Sequence, residues 1–365
     1  MSGELPALTS LNIATWRLVC QQLEGTAFFN AEELVEWMGC IQAQDYAAAK
    51  WAIGNRITDS TDAAIEKDFN AGKILRTHVL RPTWHFVSPV DIRWMLQLTA
   101  PGIKALNRPY QRKLEIDAEV TRISQKLLIK ALSDGNQLTR TEISAVFKDG
   151  NINTDDIRMS LLLMDAELDG LICSGGRKGK QFTYALLEER VPLSSVLDRD
   201  EALAELAKRY FISRGPATLA DFCWWSGLNK ADAKRSVEIN KNVLVQEKFN
   251  DQIYWFSSAD LRAGCRGKVY LLPAFDELGI AYKDRKELVN HHLINQQGNG
   301  IFSPLIITDG QISGTWKRNL VKNKVQVEIR LLRRLDKISK QLLLVQLKKY
   351  SDFLGMELEL PGPDI

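Results

Sequence analysis

Histidine and cysteine are scarce and unclustered in this chain. It has four histidines and five cysteines among 365 residues, with no Cys-x-x-Cys pair and no histidine set at ligand spacing. Zinc and iron sites draw on such spaced sets, so no metal centre and no cofactor are expected. The cysteine count is odd, and Cys20, Cys40, Cys173, Cys223 and Cys265 each sit among apolar or aromatic neighbours. That pattern reads as reduced core thiols in a cytoplasmic protein, not as a disulfide framework. Neither sign of charge dominates: 48 basic residues face 45 acidic ones, for a net charge of +3. A uniformly basic body is thereby excluded, and any surface for a polyanion must be a local patch. No apolar run approaches the roughly 20 residues needed to span a bilayer. The first residues lack a basic segment followed by an apolar one, and Glu4 stands where a secretion signal would be positive. No membrane partner is expected.

What is present is the composition of a soluble globular protein, 45% hydrophobic and 25% charged, in a chain long enough for two to four domains. Three stretches read as the same unit, helices followed by a two-stranded wing. The first spans 9–90: residues 12–23 have helical periodicity, Asn30 can cap a second helix with Glu33 at the box position, and a third helix begins after Asp45. Residues 74–87 then alternate as strand, turn at Arg81-Pro82, and strand. A helical connector over 91–133 carries the basic run Asn107-Arg-Pro-Tyr-Gln-Arg-Lys113.

The second unit spans 134–190, with Thr139 or Thr141 opening a short helix, a longer one over 154–168, and strands at 171–174 and 181–186. The third spans 199–258; Gly215-Pro216 ends its first helix, Asn229 caps a later one, and 243–248 with 252–256 forms a hairpin. From 266 to 365 the character turns to strands. Leu305–Thr308, an Asp309-Gly310 turn suited to type I′, and 311–316 make a hairpin, followed by a strand over 325–331 and a helix over 339–353.

Chemistry enters with Gly39-Cys-Ile-Gln-Ala-Gln-Asp-Tyr46. Asp45 is a good N-cap for a helix over 46–56, which leaves Gln42 and Gln44 in an extended segment. Residues two apart then share a face, so both amides can reach one pocket. Polar spacers in a surface loop are the competing reading of these residues alone. The segment is followed by Arg76-Thr-His-Val-Leu-Arg-Pro-Thr-Trp-His-Phe-Val87, and later by Leu271-Leu-Pro-Ala-Phe-Asp-Glu277 and Gly310-Gln-Ile-Ser-Gly-Thr-Trp316.

Together these motifs resemble the bacterial winged-helix DNA glycosylases of the AlkZ type, which unhook interstrand crosslinks and excise N-alkylated purines. The resemblance runs along nearly the whole chain. It implies an α+β protein, tandem winged-helix units followed by a β-rich barrel-like C-terminal domain, that acts on double-stranded DNA, as a monomer. It also implies that Gln42 and Gln44 are the catalytic element. A related branch carries Gln-x-Asp; Gln at the third position here places the chain nearer the crosslink-repair branch.

Amides suffice for such a reaction. They have no useful pKa and cannot act as strong general bases. A purine alkylated at N7 or N3 is already cationic, however, and leaves without protonation. A water must be oriented and the cationic sugar of the transition state stabilised by dipoles, and glutamine carbonyls can do both.

Alternation puts Arg76 and His78 on one face of the hairpin and Arg81 on the other, with His85 after the turn. With them, Arg76, His78, Arg81 and His85 are read as contacts to phosphates flanking a flipped nucleotide, or as a wall of the lesion pocket. The competing reading is an ordinary half-buried hairpin, and Trp84 is assigned to the core. Arg177, Lys178 and Lys180 form a Gly-rich basic tip suited to phosphates, and Lys317 and Arg318 are further candidates. The helix before that tip carries Asp155, Asp156, Asp165, Glu167 and Asp169 against Arg158. Such a helix would repel DNA and disfavours recognition-helix docking in the second unit. Trp224-Trp225 and Tyr254-Trp255-Phe256 are assigned to core packing, and Asp276 and Glu277 receive no catalytic role. The alternative function is a non-catalytic winged-helix DNA-binding or regulatory protein. A protein-interaction scaffold is a third reading.

Overall fold

Polar side chains set the first helix starts. Thr9, Asn30, Asp45 and Thr61 each accept a hydrogen bond from the backbone N–H three residues on, opening α1 (Ser10–Cys20), α2 (Ala31–Met38), α3 (Tyr46–Gly54) and α4 (Asp62–Ala71). The computed structural model describes residues 8–193, 197–257, 267–289 and 302–360. Between α2 and α3 the chain runs extended as β1 (Cys40–Gln42), and after α4 come β2 (Leu75–His78) and β3 (Trp84–Val87), in the order β1-β3-β2. The sequence reading has no counterpart of α4 and leaves β1 as an unpaired extended segment.

Two long helices follow, α5 (Ile92–Lys113) and α6 (Ala118–Leu132). Then β4 (Leu138–Thr139) leads into α7 (Arg140–Asp149), whose capping box joins Thr139 and Glu142, and α8 (Asp156–Leu168). The strands β5 (Ile172–Ser174) and β6 (Thr183–Leu186) and a single turn, α9 (Leu187–Arg190), complete this part, with order β4-β6-β5. The next part is α10 (Arg199–Arg214), β7 (Ala217–Thr218), α11 (Leu219–Ser226), α12 (Lys230–Ile239), β8 (Val245–Phe249) and β9 (Gln252–Phe256), with order β7-β9-β8. One plan thus recurs three times: a short strand, two helices, and a hairpin whose second strand lies in the middle.

The last part holds β10 (Val269–Leu272), the single turn α13 (Glu277–Ile280), β11 (Leu305–Thr308), β12 (Gln311–Val321), β13 (Lys324–Leu331), α14 (Lys337–Leu354) and β14 (Glu357–Glu359). Its five strands run in chain order, antiparallel except for the β13–β14 pair. Asp309 and Gly310 both take positive φ, 53° and 81°, as a type I′ turn needs. Among the described residues β10 and β14 remain separate edges of this sheet, so it does not close into a full barrel. The chain is an α+β protein. Among the described residues no helix is long and apolar enough to cross a membrane.

The cores explain why the first sheet becomes a buried platform. One face of β1–β3, through Cys40, Leu75 and Val87, packs with α5, α10 and α11. The other, through Ile41, Ala43 and Phe86, joins α3, β10 and α14. Trp51 Nε1 and Asn55 Nδ2 both donate to the Leu271 carbonyl at 2.8 Å, fastening α3 to β10. The two connector helices part company: α5 joins the first core, whereas α6 packs with α7 and α8 in a separate one. Trp225 is fully buried, but its neighbour Trp224 is 42% exposed, so only half of that pair belongs to the core. Tyr254 and Phe256 are core residues. Cys40, Cys173 and Cys223 are free thiols, and Cys265 lies outside the described residues.

Candidate functional site

Gly39 ends α2 with φ of +77°, a conformation that side chains resist, and turns the chain into β1. Gln42 stands directly opposite His85 on the central strand. The flanking Ala43 N–H donates to the Trp84 carbonyl at 2.7 Å, so Gln42 and His85 form a pair that exchanges no backbone bonds with each other. The Gln42 N–H is thereby free, and donates to Glu277 Oε1 at 2.8 Å. Gln42 is buried, and its Oε1 has no protein hydrogen-bond partner. Gln44, just past the strand end, is exposed; its Oε1 accepts from the Trp84 N–H at 3.3 Å. Asp45 caps α3, as its position suggested.

Glu277 is wholly committed to holding this strand. Its other oxygen, Oε2, accepts from Arg214 Nε and Nη2 at 2.9 and 2.8 Å and from Trp225 Nε1 at 3.1 Å. Arg214 also donates to the carbonyls of Met38 and Cys40 at 2.7 Å. Both charged side chains are 0% exposed. Asp276 is likewise consumed, by Arg56 Nη1 and Nη2 at 2.8 Å. These carboxylates position other groups. Glu277→Gln keeps the shape but leaves Arg214 without a counter-charge, and is expected to destabilise the fold by about 3 kcal/mol. Equilibrium urea unfolding measures this; an unchanged midpoint would disprove the anchoring role.

Four hairpin residues read from sequence as DNA contacts separate by burial. His85 is 0% exposed and cannot touch a phosphate, so of its two readings the phosphate contact is corrected. Its Nδ1 lies 2.9 Å from the Thr83 carbonyl. Burial first, then the nearby positive charge of Arg81, holds its pKa well below the usual histidine range, and the ring is neutral. The phosphate contact is corrected for His78 too: its Nδ1 is hydrogen-bonded to Glu167, and unlike the equally buried Arg76 it does not line the neighbouring cavity.

Arg81 is turned inward by Leu80, a residue in the left-handed region at φ 62° whose carbonyl packs under Gly227. The Nε and Nη2 of Arg81 are buried without partners, and burial lowers its pKa. Arg76 is 7% exposed, with its guanidinium 4.2 Å from the Trp84 ring centroid and 4.6 Å from that of Phe182. Its Nε donates to the Ala43 carbonyl at 3.0 Å, and burial pushes its pKa down to about 10.

Arg76 and Trp84 line a cavity of about 410 Å³ together with Arg140, Lys180, Phe182 and Tyr184. Trp84, assigned to the core by sequence, is instead a half-buried wall between the first and second sheets. Arg177 is not part of a free tip. Its backbone N–H is held by Asn70 Oδ1, its Nη1 donates to Glu66 Oε1 at 3.2 Å, and its guanidinium lies over Tyr46 and Phe182. Lys178 is exposed and paired with Glu142 at 3.1 Å, and Lys180 is exposed at the cavity edge. Lys317 is exposed on β12, whereas Arg318 is half-buried and donates to Tyr350 Oη. Asp165 on α8 and Asp169 at its end are paired with Lys104, and Glu167 is buried, which moderates the acidic surface read from sequence.

Sequence reasoning missed Arg214, Glu167, Phe182 and Thr77. Arg214 looks like a last-turn helix cation, and only its distant partner Glu277 reveals its place.

Residues 35–353 match the family model described as DNA glycosylase AlkZ-like. An interstrand DNA cross-link repair glycosylase of Streptomyces sahachiroi is 23% identical over 331 residues, which cover 84% of this chain and 86% of that protein. The solved structure of Streptomyces sahachiroi DNA glycosylase AlkZ superposes with a TM-score of 0.79 at 17% identity, covering 97% of this chain and 100% of that one. At that identity the structural match speaks for the fold. The family match, spanning nearly the whole chain and including the Gln42 strand, speaks for the activity: the chain belongs to the AlkZ-like DNA glycosylase family.

Proposed function

We propose that this glycosylase hydrolyses the N-glycosidic bond of N-alkylated, cationic purines in double-stranded DNA, and that it unhooks interstrand crosslinks joined through such bases. The observation that carries the reading is the Gln42 carbonyl, buried and unpartnered at the end of β1, with Gln44 exposed two residues on. Amide dipoles orient water and stabilise the oxocarbenium-like sugar, while the cationic base needs no proton to leave. The extension to crosslinks draws on the Streptomyces sahachiroi relative, an interstrand DNA cross-link repair glycosylase. Water is the nucleophile, and no cofactor is invoked.

In this reading the three strand–helix–hairpin parts are winged-helix units. The chain divides at 9–90, 91–133, 134–190, 199–258 and 266–365 and works as a cytoplasmic monomer. Three cations line the cavity beside Gln44, so it suits a phosphate flanking the lesion better than a cationic base. Arg76 and Lys180 contact that phosphate, Arg81 approaches the sugar next to Gln42, and Lys178, Lys317 and Arg318 lie along the duplex. With Arg177 held inward, the double substitution Lys178→Ala, Lys180→Ala is expected to flatten the salt dependence of DNA binding by about one to two log–log units. An unchanged slope in a binding titration against salt would remove this loop from the interface.

Incubation with a duplex carrying one 7-methylguanine should release the free base and leave an alkali-labile site. Binding without release would favour the non-catalytic alternative.

A further inference from the structure

We propose that His85 is a catalytic residue that, together with Gln42, holds the attacking water. The inference rests on the assignment of Gln42 to catalysis above and adds to it a second acceptor on the opposite strand.

Gln42 on β1, His85 on β3 and Thr77 on β2 are directly opposite one another in register, which places all three side chains on one face of the sheet. The row is buried, with Thr77 and His85 at 0% and Gln42 at 8% exposure. Each of the three ends in an atom with no protein partner: Gln42 Oε1, His85 Nε2 and Thr77 Oγ1. Buried polar atoms are nearly always hydrogen-bonded, so a row of three marks a place built for something other than protein. Moreover, Gln42 and His85 form the closer kind of cross-strand pair, in which side chains approach most nearly.

The hydrogen-bond directions define what fits. The Thr83 carbonyl can only accept, so His85 Nδ1 carries the hydrogen and Nε2 offers a lone pair. Gln42 Oε1 is an acceptor too. Two neighbouring acceptors call for a small molecule with two donor hydrogens, and water meets that description. Its oxygen lone pairs then remain available for attack. Burial and Arg81 keep the imidazole unprotonated, which preserves the lone pair.

The reaction balances. The C1′–N9 bond breaks and its electron pair neutralises the purine cation. The water oxygen bonds to C1′, and one water proton passes to Nε2 and then to solvent. The products are the neutral alkylpurine, an abasic sugar with a C1′ hydroxyl, and one proton.

His85→Asn keeps a donor toward the Thr83 carbonyl and removes the group at Nε2, whereas His85→Gln places an amide there. At saturating enzyme, His85→Asn is expected to lower single-turnover release of 7-methylguanine about a hundredfold with lesion-duplex Kd little changed. His85→Gln is expected to recover about tenfold of that loss. A wild-type rate in His85→Asn would overturn the proposal. So would a loss that tracks Kd and melting with no recovery by glutamine, the pattern of a merely structural histidine. Nitrogen-15 NMR of the wild type at pH 7 gives a reading independent of activity and of variant folding. Protonated Nδ1 with Nε2 as acceptor is expected, and a hydrogen on Nε2 would overturn the proposal. A wild type that shows this tautomer but releases no 7-methylguanine would count against the functional reading instead.

Discussion

Replacing both Gln42 and Gln44 with Ala is expected to lower single-turnover release of 7-methylguanine about a thousandfold while moving the melting temperature by no more than about 2 °C. Both halves of the expectation follow from the positions of the two amides. Gln42 is tied into the fold by its backbone, through the N–H donated to Glu277, and alanine keeps that bond. Its side-chain carbonyl makes no protein hydrogen bond, so removing it strands no partner. Gln44 is exposed and gives up only a long bond from the Trp84 N–H. Such sites ordinarily cost little stability. Losing dipoles aimed at a developing positive charge is a different matter, since each preorganised group of this kind is worth about a hundredfold or more. Circular dichroism melts and rapid-quench assays on one preparation test both halves. Full excision by the double variant would end the assignment, and a large fall in melting temperature would show that the pair is structural.

How much of this was legible in the sequence depended on how local the cause was. Asn30, Asp45, Thr139 and Asn229 act on backbone groups two or three residues away, and each caps the helix its position suggested. Asp309-Gly310 likewise turns a hairpin by its own dihedral preferences. The leading strands β1, β4 and β7 have two or three residues each and exist only because a hairpin far along the chain pairs with them. Alternation placed Arg76 and Arg81 on opposite faces of the hairpin, yet no local pattern shows that both faces are buried. Arg177 read as part of a basic tip open to phosphates because Glu66 and Asn70 are over a hundred residues away. Polar residues at the site were therefore recognisable by type and spacing, but their exposure and partners were set by packing between parts of the chain.

The lesion's own charge should decide what this enzyme cuts. A duplex with one 7-methylguanine is expected to lose its base about a thousandfold faster than an otherwise identical duplex with one uracil. That figure is the middle of the range in which proton donation to a leaving group contributes. Beside Gln42 stand a neutral, buried His85 and the arginines Arg81 and Arg214, and Glu277 is committed as an acceptor to Arg214, Trp225 and the Gln42 backbone. None of these can hand a proton to a neutral base at pH 7, because the imidazole holds no spare proton and guanidinium is too weak an acid. Flipping does not rescue the distinction, since a mismatched neutral base also unstacks at little cost. Discrimination therefore lies in bond cleavage, where a cationic purine leaves as a neutral molecule and uracil would have to leave as an anion. Matching duplex affinities with a large difference in single-turnover rate is the expected signature. Equal rates would require a general acid at this site and would sink the amide mechanism, with the His85 water following it.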